Sequence, residues 1–181
     1  MAQLEWSEAL NLDLPLMDDT HREFVDLLAA VDQADDAGLL PRWRALVEHT
    51  EQHFGQEDDW MASTRFASGN CHSMQHRVVL QVMREGTARA EQGDLQVLRV
   101  MAGELALWFP QHAQAMDASL ALHLRRVGFD PATGVVHAPG ALPQALIHGC
   151  GGASCSDTDA PGAEEPAAHP HAAPTATALP A

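Results

Sequence analysis

The chain has 181 residues, 46% of them hydrophobic, which is enough for one domain with a real core. Its formal net charge is −15 and all ten basic residues are arginine, so neither nucleic-acid binding nor membrane insertion is expected. Residues 1–10 lack the basic and apolar runs of a secretion leader, and three cysteines make no even disulfide framework, which together predict a cytoplasmic protein.

Residues 1–18 read as an irregular arm containing Trp6 and Pro15. A first helix is expected over about 19–33, opened by a Thr20–Glu23 capping box or by Asp18 as the cap. Phe24, Leu27, Leu28 and Val31 then share one face at helical spacing. Residues 35–40 read as a break, and Pro41 suits the first turn of a second helix running to about residue 64. A third helix is expected over about 71–90, after the Ala-Ser-Gly-Asn loop at 67–70. A turn at 91–94 leaves Asp94 to cap a fourth helix ending near residue 124. Four helices with short connections predict an all-α fold, an antiparallel up-down-up-down four-helix bundle. The bundle is placed at residues 1–136. Residues 137–181 are rich in Ala, Pro and Gly, contain no Arg or Lys, and read as a disordered tail.

Eleven histidines are the unusual feature of the composition. His53 and Glu57 stand four apart in the second helix, and His72 and His76 stand four apart in the third. Each pair lies on one helical face and can aim at one point in a bundle core. The fourth helix adds His112 and Asp117, and the first adds His21. Buried without a cation, this set would leave costly unsatisfied polar groups. Five imidazoles, two bridging carboxylates and a bridging hydroxide supply about eleven bonds, enough for one six-coordinate and one five-coordinate metal with a position left open. Imidazole with carboxylate suits iron, without excluding zinc, manganese or copper.

The order His21, His53-x-x-x-Glu57, His72-x-x-x-His76, His112-x-x-x-x-Asp117 resembles the ligand signature of the hemerythrin family, in particular its bacterial single-domain members. Met17-Asp18-Asp19-Thr20-His21 resembles the family's opening motif, and Trp6 a tryptophan of its N-terminal arm. The resemblance covers about residues 1–130. It implies two non-haem irons joined by an oxo or hydroxo bridge, with His72, His76 and His112 on one iron and His21 and His53 on the other. Glu57 and Asp117 would bridge the two. It further implies reversible dioxygen binding for carriage, storage or delivery, with no organic cofactor and no catalytic residue.

The same scaffold admits a di-iron oxidase or peroxidase, a nitric-oxide-handling enzyme, or an oxygen sensor. Ferritin-like enzymes use more carboxylates and Glu-x-x-His pairs, which this chain lacks. Residues 138–181 are too short and polar for an output domain. An oxygen-consuming enzyme that would receive the dioxygen is not identifiable from sequence. His49, one turn before His53, reads as a packing histidine, and Trp108 and Phe109 as walls of the ligand pocket. Cys71 adjoins His72 but points about 100° away on a helix, so it is not counted as a ligand. The five-residue spacing of His112 and Asp117, with Pro110 upstream, predicts a π-type turn or a kink between about 105 and 117.

Overall fold

A computed structural model of the chain describes residues 4–66 and 71–145. Helix α1 spans Pro15–Asp32, starting earlier than the sequence signals indicate. Pro15 fills the first turn, where its missing N–H is no loss. Asp18 is neither the cap nor part of a box. Its buried carboxylate accepts the backbone N–H of Leu12 at 2.7 Å and of Leu14 at 3.1 Å, tying the arm to the helix start. Thr20 donates its hydroxyl to the Leu16 carbonyl, so the expected capping box does not form.

Helix α2 spans Asp36–Ser63. Asp35 caps it by accepting the Gly38 N–H at 2.8 Å, so the stretch read as a break is the first turn. Pro41 therefore sits inside the helix, where it removes one early backbone bond. Helix α3 spans Cys71–Glu91, as expected. Asp94 pairs with Arg89 rather than capping the next helix. The fourth rod is compound: α4 over Gln96–His112, a π-turn over Ala113–Asp117, and α5 over Ala118–Arg126. In the π-turn the Ala118 N–H reaches the Ala113 carbonyl, five residues back.

Neighbouring rods touch in the ring α1–α2–α3–α4–α1, which makes the fold an all-α four-helix bundle. Gly86 marks the close approach of α3 to α4, since a Cβ there would lie 2.4 Å from Met101 Sδ. Trp43 of α2 donates its indole N–H to Thr87 of α3 at 3.1 Å. A short antiparallel pair, β1 Phe129–Asp130 and β2 Val135–Val136, follows α5 and was not expected from the sequence. Its turn is closed by Asp130, which accepts from the Ala132 N–H and the Thr133 hydroxyl. Beyond it, the His137 N–H bonds the Gly128 carbonyl at 2.8 Å, and Leu142 packs against the end of the bundle. The rest of the expected tail, with His148, Cys150, Cys155, His169 and His171, lies outside the described residues.

The apolar core is split in two. One cluster gathers Phe24, Leu28, Trp43, Leu46, Met83, Leu98 and Phe109. The other gathers Met17, Trp60, Met61, Leu120, Leu124 and Phe129. Along α1 the order is Met17, His21, Phe24; along α2 it is Leu46, His53, Glu57, Trp60. A polar layer thus interrupts the core at one level of the bundle, walled above and below by hydrocarbon. No helix among the described residues is long and apolar enough to cross a membrane.

Candidate metal centre

All seven residues singled out in the sequence meet in this layer, and none is more than 3% exposed. Helix α1 contributes His21, α2 contributes His53 and Glu57, and α3 contributes His72 and His76. The compound fourth rod contributes His112 and Asp117. On a regular α-helix the last two would point about 140° apart. The π-turn brings both to the same side, with His112 Nε2 and Asp117 Oδ1 3.1 Å apart.

Each carboxylate is shared between two groups of imidazoles. Glu57 Oε1 lies 3.0 Å from His53 Nε2 and 3.7 Å from His21 Nε2. Its Oε2 lies 3.3 Å from His72 Nε2 and 3.4 Å from His76 Nε2. Asp117 divides in the same way: Oδ2 is 3.3 Å from His21 Nε2, while Oδ1 is 2.9 Å from His72 Nε2 and 3.1 Å from His112 Nε2. One end of the layer therefore holds His21 and His53, and the other holds His72, His76 and His112.

These close approaches are not hydrogen bonds in most cases. Both ring nitrogens of His21 and of His72, both oxygens of Asp117, and Glu57 Oε2 are buried with no hydrogen-bond partner among the described residues. Buried polar atoms are almost always satisfied. Here the orphaned atoms converge on common points, within 4.8 Å of one another in two groups. A convergent set of imidazole nitrogens and carboxylate oxygens around a shared point fits a metal cation, which would satisfy all of them at once.

The electrostatics have the same origin. Burial alone would lower the His21 and His72 pKa values, but Asp117 and Glu57 outweigh it and raise them to about 9 and about 10. Burial would raise the Glu57 pKa, yet His53, His21 and His72 hold it well below the usual carboxylate range. Asp117 is held low in the same way by His112 and His21, against both burial and the charge of Glu57. Without a cation, protons on the imidazoles balance two buried carboxylates.

The surroundings are aromatic. Phe54 stacks on His76 with ring centroids 4.0 Å apart, and Trp108 on His112 at 4.4 Å. Phe109 presents its edge to His21 at 5.2 Å and stacks on Phe24 at 4.5 Å. Trp108 and Phe109, expected to wall one pocket, thus stand at opposite ends of the layer. His49 turns its Nε2 to the Thr20 carbonyl at 3.1 Å and its Nδ1 toward Glu23, as a packing histidine does. Burial lowers its pKa. Cys71 is disulfide-bonded, so it offers no thiolate to the site.

The sequence reading passed over Phe54, Asp58 and Gln75. Each is next in sequence to a site residue, so on its own helix it points away from the site. Its closest contact with the site is to a ligand-type residue of a neighbouring helix, His76 for Phe54 and Asp58 and His112 for Gln75, which no spacing rule reveals.

Comparison with known families decides the identity of the fold. Residues 12–122 match the family described as Hemerythrin HHE cation binding domain. The chain belongs to the hemerythrin family. It is 38% identical over 130 residues to a bacteriohemerythrin of Ralstonia nicotianae, covering 72% of this chain and 95% of that one. It is 25% identical over 122 residues to a bacteriohemerythrin of Pseudomonas paraeruginosa, covering 65% and 79%. A myohemerythrin of Sipunculus nudus is 23% identical over 112 residues, covering 62% and 86%. No solved structure matches significantly. The family's description names cation binding, and the whole histidine–carboxylate layer lies within the matched residues.

Proposed function

We propose that the chain binds dioxygen reversibly at a non-haem di-iron centre held by His21, His53, Glu57, His72, His76, His112 and Asp117. The observation that carries this reading is the division of both carboxylates. Glu57 and Asp117 each turn one oxygen to the two-histidine end and the other to the three-histidine end. One cation needs no such division; two cations bridged by carboxylates do.

Iron in such a site supplies reversible electron exchange with a diatomic ligand. The residues of the chain set the conditions for it. The three-histidine end is rich in protein donors, while the His21–His53 end has fewer and leaves room for a small ligand. Phe109 and Phe24 wall that end with hydrocarbon, which keeps water and protons from the bound ligand. The chain contains no tyrosine, and among the described residues His49 is the further titratable ring packed beside His53, so the carrier reading is preferred to an enzyme.

The test is elemental analysis and oxygen uptake on the full chain. Two irons per chain are expected, with one dioxygen taken up per pair, a visible charge-transfer band, and return of the reduced spectrum when oxygen is withdrawn. Oxygen consumed at every exposure, with catalytic oxidation of an added donor, would replace the carrier with the oxidase or peroxidase.

A further inference from the structure

Two of the five imidazoles are anchored from behind and three are not. His76 Nδ1 lies 3.0 Å from Asp58 Oδ1, a contact between α3 and α2. His112 Nδ1 lies 3.3 Å from Gln75 Oε1, and the same oxygen accepts the Trp108 indole N–H at 3.3 Å. The Nδ1 atoms of His21, His53 and His72 have no hydrogen-bond partner among the described residues.

The chemistry of the partners fixes the protons. A carboxylate only accepts, so His76 must carry its proton on Nδ1 toward Asp58. An indole N–H only donates, so the Gln75 atom facing Trp108 is the amide oxygen. That oxygen can receive His112 Nδ1 only as a second N–H. Each ring, when neutral, therefore presents its Nε2 lone pair to the site, and these two nitrogens lie 3.2 Å apart. In the metal-free chain a shared proton bridges the two nitrogens; in the loaded chain a common cation takes its place. Trp108 acts through a neighbour: its indole orients the amide, and the amide orients the imidazole.

We propose that Gln75, held by Trp108, and Asp58 are positioning residues that lock His112 and His76 as Nδ1-protonated tautomers, making the three-histidine end the tighter of the two metal positions. This rests on the metal-site reading above and adds an order to it. Metal leaves the His21–His53 end first.

The test uses the full chain loaded with iron and, for NMR, with zinc. Stepwise chelation of the iron-loaded protein is expected to release the metals in two phases. Gln75→Leu and Asp58→Ala are each expected to weaken the late phase by about 10- to 100-fold, as losses of such outer partners do. Gln75→Glu, whose carboxylate accepts from both N–H groups, should restore it. Trp108→Phe keeps the stack but frees the amide to turn, and should show a partial loss. Circular dichroism of each metal-free variant checks that the bundle is intact. Should the variants not fold, long-range 1H–15N spectra of the zinc-loaded wild-type chain decide instead, with Nδ1–H expected for His76 and His112. Folded variants that keep the wild-type late phase, or Nε2–H tautomers in the spectra, overturn the proposal. A chain that binds no metal overturns the metal-site reading and this inference with it. A chain that binds two irons with unaltered variants overturns this inference alone.

Discussion

His112 and Asp117 are five residues apart in sequence, yet the π-turn between them brings Nε2 and Oδ1 to 3.1 Å. A π-turn is one residue inserted into an α-helix, so its flanks keep their faces. Deleting the exposed Ala115 should convert the rod to continuous α-helix with the two residues four apart. The bundle and its metal content should survive. Deleting the exposed Leu107, in regular helix, should instead rotate everything C-terminal by about 100° and abolish metal binding. Metal per chain and circular dichroism of the two deletions check this.

Metal loading should release protons. In the metal-free chain His21 titrates at about 9 and His72 at about 10, so both are protonated at neutral pH and must lose their protons to ligate. At least two protons per chain should appear in weakly buffered solution at pH 7 on iron(II) addition under anaerobic conditions, and affinity should rise with pH up to about 9–10. A raised histidine pKa stabilises the fold fully below the unfolded value and no longer once pH passes the folded value. The metal-free chain should therefore lose stability as pH rises through about 9–10. The depressed carboxylates add the opposite limb, with stability lost as pH falls below the usual carboxylate range. Melting temperatures across pH, with and without metal, check both limbs; the alkaline loss should vanish on loading.

Glu57→Gln keeps the shape of the residue and removes the charge that faces four imidazoles. Metal content should fall from two per chain. The metal-free protein should lose about 3–5 kcal/mol, the usual cost of breaking a buried ion pair. Elemental analysis and urea unfolding measure the two effects.

Phe109→Ala opens a cavity between Phe24 and His21 and should cost about 3–5 kcal/mol. Phe109→Leu should cost less and leave metal content unchanged. If Phe109 keeps water from the two-histidine end, the loaded Leu variant should lose its oxygenated spectrum faster than the wild type under air.

Residues 1–136 are proposed to carry the metal unaided, with 137–181 as an appendage. A chain ending at residue 145 should match the full chain in metal content. One ending at residue 136 loses the packing of Leu142 and the Arg65 bond to the Pro143 carbonyl, so it should melt lower but still bind two metals. Loss of metal in the shorter chain would place tail residues at the site.

Helical periodicity was enough to reveal four helices and the fold class, and the i, i+4 pairs four residues of the layer, because both signals are local; His21, His112 and Asp117 stood out as ligand-type residues on the remaining two helices. The same locality explains the shifted helix starts. Asp18 and Pro41 each have a plausible role at a helix end, and only the packed arm and the Asp35 cap settle which role each takes. The π-turn was also legible, since two ligand-type residues five apart cannot share a face of a regular helix. What the sequence could not determine is how the oxygens of Glu57 and Asp117 divide between the histidines, or that Asp58 and Gln75 stand behind His76 and His112. Those relations include pairs 15 to 45 positions apart. They exist only once apolar packing above and below the layer has set the rotation and height of each helix, and no local preference in the chain encodes either.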